Sequence, residues 1–340
     1  MNKLFKSISM LAAAAVVLPS LANAGAKSIY GNDDRLDYFE ASAGMRVLSD
    51  SVVSLWPSQQ VKFDGGEFKL ATMSFGDALD LCPGEKFREQ PIGAFCSGTL
   101  VGEDIVMTAG HCITDEAKCA DTRFVFGFNI DKEGGEARTA VKAKDIYGCK
   151  RIIKRDLDKQ GSGIIGTGLA ILGALLNKAG PDYALVQLDR KVEGRKPLPV
   201  NRDGIDNGAQ IFVIGHPVGL PLKVAGNATV RDAGPKAFFT TDLDTFGGNS
   251  GSAVFNTRTN LIEGILVRGG TDFVATPAGC KAQARVGQAE GKGEAVTKIS
   301  MLKKYIPEIG SYKAAEMETK GVTVEQVPSA DEALARRIQF

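Results

Sequence analysis

The sequence predicts an all-β protein whose strands form a sandwich or a barrel. Short apolar runs of about five to seven residues, rich in Val, Ile, Phe and Thr, recur along the chain between Gly, Asp and Asn residues. Many short strands with regular turn signals are typical of closed or stacked antiparallel sheets. The predicted strands lie in residues 95–101, 104–110, 122–128, 183–188, 210–215, 237–243, 252–256 and 261–267.

Residues 294–306, EAVTKISMLKKYI, depart from this strand pattern. Their apolar side chains recur at helical spacing, which predicts a helix packed on the sheets and ended by Pro307. The residues that would face the core are Val296, Ile299, Leu302, Tyr305 and Ile306.

The first 24 residues have the pattern of a secretory signal peptide. Lys3 and Lys6 precede an uncharged apolar run that ends at Ala22-Asn23-Ala24, the A-x-A form of a cleavage site. Cleavage there would place the protein outside the cell or in the periplasm and change its formal charge from +1 to −1. A chain so close to neutral offers no electrostatic basis for binding nucleic acid.

Two further segments stay outside the predicted strands. Residues 161–180 are apolar and Gly-rich, but an uncharged run of about 16 residues is short for a stable membrane span. A mobile surface loop and a buried segment are both compatible with this composition. Residues 307–340 are polar and form either a flexible or a docked C-terminal tail.

Six cysteines follow the predicted signal peptide. An even number in an exported chain favours disulfides over a zinc site, and no C-x2-C pair is present. No metal and no cofactor are therefore expected. Cys96 and Cys112 bracket a predicted hairpin beside His111, and their pairing would close a loop of about 16 residues, worth roughly 3 kcal/mol.

The stretch FGGNSGSAVF, residues 246–255, surrounds Ser250 with glycines. A serine hydroxyl becomes a nucleophile when a base accepts its proton and a third group orients that base. The chain has two histidines: His111 lies beside the predicted Cys96–Cys112 disulfide, and His216 lies at a strand end and reads as a wall or surface residue. Asp182, just before an apolar strand, is either the orienting carboxylate or a turn residue.

Three motifs occur in the order TAGHC (108–112), DYALVQL (182–188) and GGNSGS (247–252). Together they resemble the signatures of chymotrypsin-like, or trypsin-like, serine peptidases over residues 45–306. The GNSGS variant and the early IYGNDDR (29–35) are more similar to the bacterial branch that includes the glutamyl endopeptidases.

The resemblance implies two packed six-stranded antiparallel barrels, about 45–190 and 191–293, followed by the helix 294–306. Residues 25–44 would be an N-terminal segment, with a short pro-region as an alternative. In this fold Ser250 would be the nucleophile, His111 the general base and acid, and Asp182 the orienting carboxylate. The backbone N–H groups of Gly248 and Ser250 would form the oxyanion hole.

The remaining cysteines are assigned within this two-barrel frame. Cys82 and Cys119 would lie in the same barrel and are predicted to pair. A Cys149–Cys280 disulfide then follows by elimination.

The resemblance also indicates the specificity pocket and one departure from the family. Asp244, six residues before the nucleophile, would form the pocket base and suit Arg or Lys, with a turn role as the alternative. The wall strand 264–270 would carry Leu266, where glutamyl endopeptidases have a histidine, and Arg268, which either neutralises Asp244 or attracts an acidic side chain. Asn249 replaces the aspartate that pairs with a new N-terminal amine in animal members, so that activation switch is not expected.

The sequence thus predicts a secreted or periplasmic serine endopeptidase acting on proteins or peptides without a cofactor, with cleavage after Arg or Lys as one option. A protease-like binding protein without turnover, an esterase and an endopeptidase of Glu or other specificity are the alternatives. No nucleic-acid partner and no stable membrane span are expected, and the oligomeric state is left open.

Overall fold

The computed structural model describes residues 29–157, 180–269 and 272–309. Within them the chain is built mainly from short antiparallel strands that close into two barrels. The predicted signal peptide, most of the apolar segment 161–180 and nearly all of the C-terminal tail lie outside the described residues. No helix in the described ranges is both long and apolar enough to span a bilayer.

The strands are short, as the spacing of turn residues predicts. They are β1 (Ile29–Tyr30), β2 (Arg35–Asp37), β3 (Val52–Pro57), β4 (Val61–Asp64), β5 (Glu67–Leu70), β6 (Met73–Ser74), β7 (Pro91–Ile92), β8 (Cys96–Gly102), β9 (Ile105–Thr108), β10 (Thr122–Phe126), β11 (Ala140–Val141), β12 (Ile146–Leu157), β13 (Asp182–Leu188), β14 (Gln210–Gly215), β15 (Lys223–Asp232), β16 (Phe238–Thr241), β17 (Ala253–Asn256), β18 (Ile262–Arg268), β19 (Phe273–Ala275), β20 (Lys281–Gln283), β21 (Arg285–Val286) and β22 (Glu294–Lys298).

Three short helices begin at side-chain caps: α1 (Ala43–Ser49), α2 (Phe75–Leu79) and α3 (Glu116–Ala120). The side chains of Ser42, Ser74 and Asp115 each accept a hydrogen bond from a backbone N–H in the first turn. Such caps satisfy N–H groups that have no partner within the helix.

The first barrel closes in the strand order β10-β12-β13-β9-β8-β3. The second closes through β14-β17-β18-β22-β16-β15, because β15 also pairs with β14. This arrangement is the predicted pair of six-stranded barrels. A core of aliphatic and aromatic side chains drawn from both barrels, including Leu185, Phe212 and Leu302, lies between them.

The predicted helix 294–306 is wrong. Glu294–Lys298 form β22, which pairs with β16 and β18 and closes the second barrel, and two 3₁₀ turns follow at Ile299–Met301 and Lys303–Tyr305. The second barrel therefore extends beyond 293. Helical spacing arose because the buried Val296 of the strand is followed by 3₁₀ turns, whose three-residue period places Ile299 and Leu302 in the core.

The N-terminal segment is part of the fold. In β2, Arg35–Asp37 pair with Lys223–Ala225 of β15, and β1 pairs in parallel with β21. Residues 29–37 therefore pack against the second barrel, although they precede the first in sequence.

The disulfides confirm one predicted pair and correct two. Cys96–Cys112 is present as predicted, but Cys82 pairs with Cys280 and Cys119 pairs with Cys149. Cys82 does not pair within barrel one because it lies in residues 58–95, a long connection between β3 and β8 that carries β4–β7 and α2. Its neighbour Leu81 forms a bridge with Lys281, which brings the connection against the segment that carries Cys280.

Removal of the Cys82–Cys280 disulfide by a double Cys→Ser substitution should destabilise the fold more than the same change at Cys119–Cys149. The first bond closes a separation of 198 residues and the second one of 30. The chain-entropy estimate gives about 5 and about 4 kcal/mol, respectively. Urea unfolding midpoints without reductant compare the two variants. A larger loss from the Cys119–Cys149 variant would contradict this order.

Candidate active site

The antiparallel pairing of β9 with β13 brings His111 and Asp182 together. Ala184 lies opposite Thr108, so the residues just after β9 reach the start of β13. The His111 Nδ1 atom lies 2.8 Å from Asp182 Oδ2, and the His111 backbone N–H donates to Oδ1 at 3.1 Å. Asp182 thus fixes both the ring and the backbone of this histidine, and an ionised carboxylate favours the tautomer with the proton on Nδ1.

Asp182 is buried and its backbone is anchored to the second barrel. Its N–H donates to Thr297 Oγ1, and the Thr297 hydroxyl lies 3.1 Å from the Asp182 carbonyl oxygen. Arg268 Nη2 lies 3.9 Å from Asp182 Oδ2, while Nη1 donates to the Gly180 carbonyl at 3.2 Å. The pair therefore lies where the two barrels meet.

Ser250 lies in a tight loop between β16 and β17 that packs against the His111 segment. The Cys112 sulfur is 3.7 Å from the Ser250 carbonyl oxygen, and the same oxygen accepts the Ser97 N–H at 2.9 Å. The structure thus places Ser250 beside the disulfide that flanks His111. The side chain of His111 is 38% exposed, so part of its ring is accessible to a ligand.

Two glycines in this loop meet steric requirements that no other residue satisfies. Gly248 has φ +82°, and an added Cβ would lie 2.8 Å from both Gly219 N and the His216 carbonyl oxygen. Gly251 has φ +93°, and an added Cβ would lie 2.1 Å from the Ser97 carbonyl oxygen. The glycines therefore let the loop pack against both neighbouring segments.

The carbonyl groups of the loop set the direction of its N–H groups. The Gly247 carbonyl accepts from Val218 N–H at 2.5 Å, and the Asn249 carbonyl accepts from Ser252 N–H at 2.9 Å. Because a trans peptide directs its N–H opposite to its C=O, the N–H groups of Gly248 and Ser250 point away from these contacts. Gly247 N–H donates to Asp272 Oδ2 at 2.8 Å, which further fixes the loop.

Among the described residues, Cys96, His111 and Cys112 are the one group of three whose side chains are close enough to share a metal ion. Both sulfurs are joined in a disulfide, so they are not thiolate ligands. The chemistry of this donor set does not fit a metal centre.

Asp244 has contacts that differ from those predicted for a pocket base. It is buried, its Oδ1 accepts the Tyr30 N–H at 2.7 Å, and its Oδ2 accepts the Asp34 N–H at 2.8 Å. Burial raises the pKa of Asp244 to about 8, although the two N–H donors oppose this shift. The N-terminal segment thus occupies the carboxylate that sequence reasoning assigned to a substrate cation.

The two residues assigned to the pocket wall, Leu266 and Arg268, lie in different surroundings. Leu266 is in the interior of the second barrel and packs with the side chains of β14 and β16. Arg268 is 35% exposed and contacts Asp182 rather than Asp244. Neither neutralises Asp244, and Arg268 is the one that lies next to the His111–Asp182 pair.

His216 is a buried structural residue. Its ring stacks on Phe128 with 5.9 Å between centroids, and Nδ1 lies 3.0 Å from the Leu220 carbonyl oxygen. Burial lowers the pKa of His216 to about 3, and the Lys223 charge adds to this effect, while the Leu220 contact opposes it.

Several supporting residues were missed by sequence reasoning. Ser97, Thr297 and Asp272 hold the loop or the Asp182 backbone. Ser97 could have been suspected because it follows Cys96 in a strand beside His111. Thr297 was assigned to a helix, and nothing in the sequence near Asp272 links it to Gly247.

A family profile described as a trypsin-like peptidase domain matches residues 96–265, half of the 340-residue chain. The chain belongs to the trypsin-like peptidase family. The match includes His111, Asp182 and Ser250. No curated protein matches the sequence.

Solved structures of other proteases are similar at low sequence identity. A Glu endopeptidase in complex with MPD is 15% identical over 86% of this chain and 99% of its own, with a TM-score of 0.41. The inactive form of Rv3671c from M. tuberculosis H37Rv is 11% identical over 80% and 94%, with a TM-score of 0.41. Vibrio cholerae VesB protease is 14% identical over 82% and 66%, with a TM-score of 0.45.

The stability of the peptidase should fall in acid because of His216. Its pKa is about 3 in the fold against an ordinary 6.5, so the unfolded chain binds the proton first as pH falls. The stability contributed by neutral His216 is complete above about pH 6.5 and is lost as pH falls toward 3. Between pH 7.5 and 4.5 we expect wild type to lose about 2–3 kcal/mol that His216→Phe does not lose.

Thermal unfolding of both proteins across this pH range measures the difference. His216→Gln, which also lacks a titrating ring, should behave like His216→Phe. Parallel curves for wild type and both variants would contradict the assignment.

Proposed function

We propose that this peptidase is a serine endopeptidase that cleaves proteins or peptides through Ser250, His111 and Asp182. The observation that carries the proposal is the 2.8 Å contact between His111 Nδ1 and a buried Asp182, next to the loop of Ser250. A serine close to an oriented imidazole is the arrangement that nucleophilic acyl transfer needs.

In the first half-reaction, the Ser250 hydroxyl attacks the carbonyl carbon of the scissile bond while His111 Nε2 takes its proton. His111 then gives that proton to the departing amine, and the acyl group stays on Ser250. A water molecule attacks the ester by the same route and releases the carboxylate product. Throughout both half-reactions, Asp182 orients the ring and stabilises the imidazolium.

The N–H groups of Gly248 and Ser250 are proposed as the donors to the tetrahedral oxyanion. This proposal is supported by two hydrogen bonds, in which the Gly247 carbonyl accepts from Val218 N–H and the Asn249 carbonyl accepts from Ser252 N–H. Each bond turns the N–H group of the same peptide in the opposite direction. One such donor typically contributes about 3–4 kcal/mol to transition-state stabilisation.

Export to the periplasm or the exterior is proposed from two observations. Three disulfides join all six cysteines, and such bonds persist in oxidising compartments. The basic, apolar and A-x-A order of residues 1–24 is the matching targeting signal.

The residue preference at the cut site is not assigned to Asp244, since the N-terminal segment binds both of its oxygens. An extended substrate would add along the end of β18, near Arg268. Arg268 is 35% exposed and lies 3.9 Å from Asp182 at this end of the strand, so it is a charged side chain that such a substrate would pass.

Cleavage-site profiling tests the function. The chain from residue 25 onward, incubated with a proteome-derived peptide library, should produce internal cuts that disappear in Ser250→Ala. Mass spectrometry of the products identifies the residue before each cut. Cuts that persist in Ser250→Ala would overturn the mechanism, and binding without any cleavage by wild type would favour a protein that has lost turnover.

Asp182→Asn should reduce kcat by about 10⁴-fold with little change in structure, because an amide favours the wrong histidine tautomer. The kinetics of a peptide identified by the profiling measure the change. Asp189→Asn, at the exposed far end of β13, serves as the matched control and should retain activity. An Asp182→Asn variant within about tenfold of wild type would contradict the role of Asp182.

A further inference from the structure

The loop of Ser250 is backed by a group of buried charges that the proposed mechanism does not use. The N-terminal segment Ile29–Asp37, here termed the N-terminal clasp, brings Asp33, Asp34 and Arg35 beneath this loop, all less than a tenth exposed. Burying charged groups carries a desolvation penalty and seldom stabilises a fold more than apolar packing would. A positioning role would explain why these charges are there.

Arg35 is the centre of this group. Its Nε and Nη2 atoms donate to the Asp33 carboxylate at 2.8 and 2.6 Å, and Nη2 also donates to Gln283 Oε1 at 2.5 Å. Although burial alone would raise it, the Arg35 guanidinium holds the pKa of Asp33 at about 2. The ion pair is therefore intact at neutral pH, and the guanidinium plane is fixed from two sides.

The fixed guanidinium rests against the start of the Ser250 loop. The Arg35 Cζ atom lies 4.5 Å from the centroid of the Phe246 ring, a cation–π contact. The Phe246 carbonyl accepts the Asn249 N–H at 3.1 Å and so closes the turn that contains Gly247 and Gly248. A shift of the Phe246 ring would therefore be transmitted to the turn that carries the Gly248 N–H.

Asp244 attaches the same loop to the clasp at a second point. It precedes Phe246 by two residues, and its two side-chain oxygens accept the N–H groups of Tyr30 and Asp34 at 2.7 and 2.8 Å, respectively. The clasp and the loop are thus joined at two points, by the Arg35 side chain of the clasp and by the Asp244 side chain that precedes Phe246.

Asn249 explains why the loop needs such support. An amide at this position is neutral and cannot pair with a terminal amine, and its Oδ1 lies 3.2 Å from the Ser252 hydroxyl. Arg35, within the chain, supplies a positive charge that contacts this loop through the Phe246 ring.

We propose that Arg35 and Asp244 are positioning residues that set the oxyanion-hole conformation of the Ser250 loop without any free N-terminal amine. This inference rests on the proposed function. Loss of the Arg35 contact should move the Gly248 N–H away from the oxyanion while leaving the β18 edge that takes the substrate intact.

The test is a kcat against KM comparison of Arg35→Met with wild type on a peptide found by cleavage-site profiling. Misplacement of an oxyanion donor by about 1 Å predicts a kcat about 10- to 100-fold lower with KM within about twofold. The matched control is Arg195→Met: Arg195 follows β13, pairs with Asp145 at 2.8 Å and lies 4.7 Å from the ring of Phe126, a residue of the first barrel. It should lose comparable stability and keep kcat within about twofold.

A second readout separates positioning from general destabilisation. A peptide boronic acid, which forms a tetrahedral adduct with the serine, should bind Arg35→Met about 10- to 100-fold more weakly, while the KM for the peptide is unchanged. Equal kcat losses in Arg35→Met and Arg195→Met would overturn the proposal, as would an unchanged boronic acid affinity.

Asp244→Asn decides the question if Arg35→Met does not fold. The amide has one acceptor for two N–H donors, so we expect the same fall in kcat at constant KM. A kcat equal to that of wild type would overturn the proposal. Ser250-dependent cleavage by wild type is measured first, because its absence overturns the proposed function itself and leaves no oxyanion hole to position.

Discussion

The antiparallel pairing of β9 with β13 is the constraint on which the candidate site depends. It places the residue after Gly110 against the first residue of β13, so a histidine and an aspartate 71 positions apart share two hydrogen bonds. The Cys96–Cys112 disulfide fixes the segment that follows β9, and Thr297 fixes the backbone of Asp182 from the other barrel. Strand register therefore sets the position of His111 relative to Asp182.

Residues that the motifs mark could be predicted, and residues that act through tertiary contacts could not. Short apolar runs predicted eight of the twelve barrel strands and missed β3, β12, β15 and β22, and the three motifs marked His111, Asp182 and Ser250. The helix predicted at 294–306 failed because a strand followed by 3₁₀ turns repeats its buried positions much as a helix does. The pocket-base role predicted for Asp244 failed because its partners are the backbone N–H groups of Tyr30 and Asp34, more than 200 residues away. Backbone partners leave no trace in the pattern of side chains.

The buried charges behind the Ser250 loop bring together segments that lie far apart in the sequence. Asp33 and Arg35 come from the N-terminal clasp, Gln283 from the strand β20, and Phe246 from the loop itself. Lys223, also buried, pairs with Asp37 at 2.6 Å and attaches the clasp to β15. Arg35 and Lys223 both contact other segments, which makes the loop geometry a property of the assembled barrel rather than of the local sequence.

The Cys82–Cys280 bond has a consequence for the order in which the chain acquires its covalent structure. During synthesis, Cys82 emerges 198 residues before Cys280, and the four cysteines of the two shorter bonds emerge between them. If each thiol simply paired with the next to appear, Cys82 would join Cys96 and displace Cys112. Correct oxidation therefore requires either that Cys82 is kept reduced while the first barrel folds or that an isomerase exchanges an early, non-native bond. The native partner of Cys82 is thus set by the fold, which brings Leu81 against Lys281, and the order of cysteines along the chain alone would not select it.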